Sequence, residues 1–223
     1  AAVTTGDIAG ATIGEDADLS DCTDPVAGCT VTLTVDIENV PAFILSGFVD
    51  DRGTPEFHFT YTPLVDPVSL ANLKADPSGG FDGFAFATSV EAHTAAATAV
   101  GVDPATAVTN TTFMGFLLSD DFATPVSGAT VTELTGNYDT YYPNDALDAN
   151  GTGTNSLGMY FAVGTSADGQ NPNFRTVSQT GSEIWGDLAG GGLANAVAAY
   201  MLPSAVFPNC VVYCATLAAL CQD

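Results

Sequence analysis

Basic residues are almost missing from this chain. Across 223 residues only Arg52, Lys74 and Arg175 are cationic, against 26 Asp and Glu, a formal charge of −23. A nucleic-acid partner needs lysine and arginine to displace counterions from phosphates, and three basic residues cannot form that footprint. An anionic membrane surface is excluded on the same ground. Charge of either sign is scarce at 13% of residues, so the solvent-facing surface must be built from Thr, Ser, Asn, Gln and Gly. Such acidity keeps an extracellular protein soluble. It leaves cations such as Ca²⁺, or basic protein surfaces, as the partners that charge favours.

Other absences narrow the reading further. No run of 18 uninterrupted apolar residues occurs, so no transmembrane segment is expected. No charged stretch leads into an apolar one as in a signal peptide. The chain opens Ala1-Ala2-Val3 without methionine, which is the expectation for a mature chain after a secretory leader is removed. Only two histidines exist, His58 and His93. His58 sits in a strand among aromatics and is expected to be packed or at the surface, and His93 in the Ala-rich segment is expected to be solvated, so no Ser-His-Asp triad is assigned. G-x-S-x-G and G-K-[ST] are absent. The adjacent carboxylates Asp50-Asp51 and Asp120-Asp121 would face opposite sides of a strand. The expectation is a protein that is not an enzyme and has no catalytic residues. Asn110-Thr111-Thr112 and Asn150-Gly151-Thr152 match the N-glycosylation acceptor pattern, and in so Thr-rich a chain they read as chance matches.

Five cysteines are unevenly placed. Cys22 and Cys29 flank the short loop TDPVAG, whose ends are close in any hairpin, so they are expected to pair. Cys210, Cys214 and Cys221 crowd the C-terminal segment NCVVYCATLAALCQD, where two of the three are expected to be paired. As a short helix this segment puts all three on one side, facing whatever packs against it. As a turn it allows Cys210–Cys214 or Cys214–Cys221. The odd count leaves at least one thiol free or bonded to another chain. The spacing lacks the C-x-x-C units of a zinc site.

What is present is strand. Apolar residues reach 46%, enough for a sizeable core. Thr30 to Ile37 (TVTLTVDI) alternates apolar and polar residues with a period of two and is rich in β-branched side chains. Similar patterns cover 56–62, 84–90, 113–119, 129–135 and 158–164, with weaker ones at 174–179 and 196–202. Clusters drawn from 23 Gly and 12 Pro punctuate them. Residues 66–76 could form two helical turns. The Ala-rich segment 89–108 fits either a helix or an inter-domain linker. Many short strands with turn signals between them indicate an all-β fold, a sandwich or a barrel.

The segment PVAGCTVT (25–32) is nearly repeated as PVSGATVT (125–132), identical at six of eight positions and offset by 100 residues. With its upstream residues the second copy reads MGFLLSDDFATPVSGATVTE. This resembles the opening of carboxypeptidase regulatory-like, or transthyretin-like, domains, in which a strand carrying a Gly leads through an Asp and a turn into Pro-Val-x-Gly-Ala-x-Val. Gly115, Asp120, Pro125, Val126, Gly128, Ala129 and Val131 match that pattern. DANG (148–151), then MYFAV (159–163), match the turn and aromatic strand that follow in the family. The first copy carries an insertion with Cys22 before Pro25. The resemblance implies two antiparallel β-sandwich domains of Ig-like or transthyretin-like type, 1–108 and 109–223, the first elaborated and the second ending in a short helix or Cys-containing tail. It also implies the role such domains commonly have, as docking, folding or stalk modules of secreted and envelope proteins.

Two ligand readings stand beside it. Asp145, Asp148 and Asn150 ahead of Gly151 supply hard oxygen donors near a Gly turn, a weak calcium candidate without the closing Glu of an EF-hand. Glu15, Asp16, Asp18 and Asp21 offer a second acidic run. Tyr138, Tyr141 and Tyr142 could stack on sugar rings. The expectation is therefore a secreted structural protein of the cell surface or of an extracellular assembly, associating with itself or with other surface proteins. Residues 1–14, small and polar, are the candidate donor strand of a fibre. The alternative is a carbohydrate-binding or adhesive module, with calcium as its one candidate cofactor.

Overall fold

The computed structural model describes residues 2–7, 17–18, 34, 36–38, 44–65, 71–72, 74–75, 86–119, 124–167, 173–177, 188–189 and 195–203. All five cysteines, the first copy of the repeat, Glu15, Asp16, Asp21 and the expected C-terminal helix lie outside these residues. The chain forms two compact units, Ala1–Val90 and Glu91–Asp223. It is rich in sheet, with few helices.

In the first unit the strands are β1 (Ala2–Asp7), β2 (Ala17–Asp18), β3 (Ile44–Val49), β4 (Phe57–His58), β5 (Thr60–Val65) and β6 (Thr88–Ser89). They lie in the order β2-β1-β3-β5, each neighbour antiparallel. β1 runs along β3 over its whole length, from Ala2↔Val49 to Asp7↔Ile44. β4 and β6 form a separate two-residue ladder. Ser46, Phe48, Thr60, Tyr61 and Thr62 are buried. Phe48 meets Phe57 edge-on at 5.4 Å, a geometry that suits the ring quadrupoles.

Between β3 and β4 the Asp50 carboxylate organises the turn. It accepts from Nε and a terminal nitrogen of Arg52, at 2.7 and 2.6 Å. It also accepts from the backbone N–H groups of Arg52, Glu56 and Phe57. Arg52 in turn bonds Glu56 and lies over the Phe57 ring. One of the chain's three basic residues is therefore spent on closing a loop.

The second unit begins with helix. Alanine favours Val90–Ala99 as a helix, and the i, i+3, i+4 spacing of His93, Ala96 and Ala97 gives it one buried face. A shorter helix follows, Pro104–Thr109, with Asp103 as its N-cap accepting from the Thr106 N–H and Pro104 in the first turn. The strands are β7 (Thr112–Leu118), β8 (Thr130–Glu133), β9 (Tyr138–Tyr141), β10 (Met159–Gly164), β11 (Asn173–Val177), β12 (Leu188–Ala189) and β13 (Val197–Pro203). One sheet runs β13-β7-β10-β9 and another β12-β11-β8. Every residue of β10 is buried, which is why its sequence is continuously apolar rather than alternating. The helices cover one face of the β13-β7-β10-β9 sheet, joining Ala96, Ala97 and Ala107 to Met114, Met159, Phe161, Val163 and Val197 in a single core.

Several expectations change. The second unit's sheet is mixed, because β13 pairs with β7 in parallel over all seven residues. The Ala-rich segment is helical and packs into the core of the second unit. Of the strand expected at 30–37, the described residues 34, 36 and 37 are not strand. There the Asp36 carboxylate accepts the Glu38 N–H and favours a turn. Of the strand expected at 84–90, the described residues 86 and 87 are not strand, β6 covers Thr88 and Ser89, and Val90 already starts the helix.

Candidate functional site

The sequence candidates of the second unit converge on the loop joining β9 to β10 and on the PVSGATVT turn beneath it. Pro125 bridges to Leu118, and the Val126 N–H donates to the Leu117 carbonyl. Gly128 then adopts φ of 80°, a left-handed value that glycine takes without steric cost. The Gly in Pro-Val-x-Gly-Ala is thus a requirement of backbone geometry.

Thr154, from the β9–β10 loop, holds this turn. Its N–H donates to the Ala129 carbonyl, and its own carbonyl accepts the Gly128 N–H at 2.7 Å. Its hydroxyl donates to the Val126 carbonyl at 2.6 Å and accepts from the Ala129 N–H. The Ser127 hydroxyl also donates to the Thr154 carbonyl. Thr154 is almost fully buried, so these bonds are shielded from water.

A second clasp lies alongside. The Tyr142 hydroxyl donates to the Val131 carbonyl and accepts from the Val131 N–H. Asn155, also buried, accepts from the N–H groups of Leu157 and Met159 and donates to the Pro143 carbonyl. Side-chain amides and hydroxyls of this kind complete a loop whose backbone has no ladder to join.

The calcium candidates share this loop, but each has its own task. Asp145 accepts the Ser156 N–H, which lowers its pKa. Asp148 accepts from the Asn144 side-chain amide at 2.7 Å. Asn150 accepts the Tyr142 N–H through Oδ1. All three residues are exposed. Among the described residues no group of three or more His, Cys, Asp or Glu side chains is arranged to hold a metal ion. Asp18 lies in β2.

The three tyrosines are turned to packing. Tyr138 is buried edge-on against Phe113, 5.1 Å between ring centres, and burial pushes its pKa up to about 12. Tyr142 is half-buried by its clasp, and Tyr141 packs at the margin of the core. Burial raises both pKa values. His93, expected to be solvated, is instead fully buried because it lies on the helix face that packs into the core, its ring 5.5 Å from that of Phe161. Its Nε2 meets the Thr112 hydroxyl, whose proton goes to the Ala107 carbonyl, so Nε2 carries the hydrogen. His58 is half-buried in β4, and burial lowers its pKa.

Residue spacing pointed to the loop itself but not to Thr154 or Asn155, whose partners lie across the strands. The disulfide candidates Cys22, Cys29, Cys210, Cys214 and Cys221 are outside the described residues. Among the described residues no helix is long and apolar enough to cross a membrane. The fold thus defines a sheet-rich protein with few helices. In comparison with known proteins, the chain matches no family model, no curated protein and no solved structure.

Proposed function

We propose that the protein is a secreted, non-enzymatic structural subunit of the cell surface or of an extracellular assembly. In this reading it is built on two β-sandwich domains like the carboxypeptidase regulatory-like family, and its copies are joined by exchange of β1. The observation that carries the reading is the placement of β1. The strand is held along β3 by six register pairs, while among the described residues its other side pairs with β2 at Ala2 and Val3. A short strand held mainly by one neighbour is the kind of element that domain swapping exchanges between identical chains. The same ladder hydrogen bonds form with a second copy's β3, so exchange conserves the contacts and adds a link. The turn geometry of PVSGATVT supports the family resemblance, since Gly128 needs its left-handed conformation.

Electron microscopy and light scattering of native material test this. Filaments or discrete oligomers are expected, and deletion of residues 1–14 should reduce them to monomers. Native material that is monomeric, or an assembly untouched by the deletion, would refute the reading. The alternative, a carbohydrate-binding or adhesive module aided by Ca²⁺ at Asp145, Asp148 and Asn150, has less support. The tyrosines it would use as a stacking platform are occupied in packing.

A further inference from the structure

The chain carries two Asn-x-Thr sequences, and the fold treats them in opposite ways. Asn110 ends the short helix. Its side-chain amide Nδ2 donates to the Gly164 carbonyl at 2.9 Å, tying the helix end to β10. The backbone of Asn110 lies so close to Gly164 that a Cβ there would collide with the Asn110 carbonyl. Thr112, the hydroxyl residue of that triplet, is fully buried, and its hydroxyl is engaged with Ala107 and His93. Neither the amide nor the hydroxyl is open to a modifying enzyme, and a sugar on Nδ2 would displace the bond to Gly164.

Asn150, Gly151 and Thr152 are all exposed. The carboxamide of Asn150 is oriented by its Oδ1, which accepts the Tyr142 N–H at 2.9 Å, and the adjacent Gly151 N–H donates to the Tyr142 carbonyl. Both bonds use atoms other than Nδ2. No hydrogen bond to Nδ2 or to the Thr152 hydroxyl is found among the described residues. Residue x is a glycine, so no side chain crowds the approach. The result is an exposed acceptor triplet on a hydrogen-bonded loop, with its amide oxygen engaged by Tyr142 and no hydrogen bond among the described residues to its nucleophilic nitrogen.

We propose that Asn150 is an N-glycan acceptor and that Asn110 is not. The donor class is a lipid diphosphate-linked oligosaccharide. The Nδ2–C1 bond forms, the bond from C1 to the diphosphate oxygen breaks, the amide releases one proton, and the lipid diphosphate departs. The proposal rests on the secreted character in the reading above, because N-glycan acceptors belong to secreted proteins. The bond from Oδ1 to Tyr142 survives the modification, so the loop need not rearrange.

The test is peptide mapping by mass spectrometry of native full-length protein. A sugar mass on the Asn150 peptide and an unmodified Asn110 peptide are expected. Thr152→Ala should abolish the increment on the Asn150 peptide without altering the melting temperature. Asn150→Gln should abolish it as well, and Asn110→Gln should leave it in place. An unmodified Asn150 peptide in native material, or a sugar on Asn110, would overturn the proposal. Electron microscopy of the same preparation reports assembly independently, so a glycosylated monomer refutes strand exchange alone, and an unglycosylated filament refutes the glycan alone.

Discussion

Thr154 and Ala129 are bonded twice. The Thr154 N–H donates to the Ala129 carbonyl at 2.8 Å, and the Ala129 N–H donates to the Thr154 hydroxyl at 3.0 Å. The hydroxyl passes its own proton to Val126. Thr154→Val keeps the shape and the backbone bonds but strands a buried N–H, which costs about 2 kcal/mol. Thr154→Ser keeps the hydroxyl and should cost less than about 1 kcal/mol. Urea midpoints with an unchanged m-value would register the difference. Equal midpoints for the two variants would show that the hydroxyl does not hold the turn.

Gly115 in β7 sits opposite Tyr160 in β10, and a Cβ on Gly115 would fall inside the Tyr160 ring. Tyr160 is fully buried, and burial keeps its hydroxyl protonated far above the usual range. The ring cannot swing aside without opening the core. Gly115→Ala is therefore expected to destabilise by about 2–3 kcal/mol through overpacking and to alter the near-ultraviolet tyrosine signal. Gly53 has open space around it, so Gly53→Ala should stay within about 0.5 kcal/mol of the parent. Thermal melts of the pair separate a packing requirement from a general cost of replacing glycine.

These contacts mark what the sequence discloses and what it hides. β7 and β10 are legible because apolar and aromatic residues run through them. β3 is not, because Ser46 and Gly47 interrupt the alternation. Ser46 is nevertheless buried, its hydroxyl donating to the Thr62 carbonyl. β13 looks weak by composition, yet it lies beside β7 through long-range parallel pairing that local preference does not encode. The same holds for the site. Asp, Asn and Gly announce a loop at 144–155, but the bond from Thr154 to Val126 spans 28 residues of chain. The glycine of the repeat was readable as a turn. The threonine that locks it was not.

Acid should weaken the first unit in two stages. Burial lowers the His58 pKa, so the folded state takes up its proton later than the unfolded state does. Stability then declines as pH falls below 6.5, the ordinary histidine value. Asp50 follows at lower pH. Arg52 first, then the backbone N–H groups, hold its carboxyl well below the ordinary 3.8. Its contribution is complete above that value and is lost as pH falls further, because the unfolded state binds the proton first. Asp50→Asn cannot ionise, so it should be less stable than the parent at neutral pH and flatter in the acid limb. Melting temperatures of both proteins between about pH 2 and 7 provide the check, and parallel acid limbs would remove Asp50 from the account.

Strand exchange can be blocked without deleting anything. Thr5 of β1 lies opposite Ser46 of β3. Paired antiparallel residues have Cα atoms about 4.5–5.5 Å apart, within the span a disulfide bridges. Thr5→Cys combined with Ser46→Cys should pin β1 to its own chain. The monomer fold would be retained by circular dichroism, while assembly falls at least about tenfold, a loss of roughly 1.4 kcal/mol or more in association free energy. Each single-cysteine variant controls for the effect of substitution, and peptide mapping verifies the new bridge against the five native cysteines. A chain with the bridge in place has no free β1 to lend, so continued assembly of that protein would mean that its copies meet through another surface.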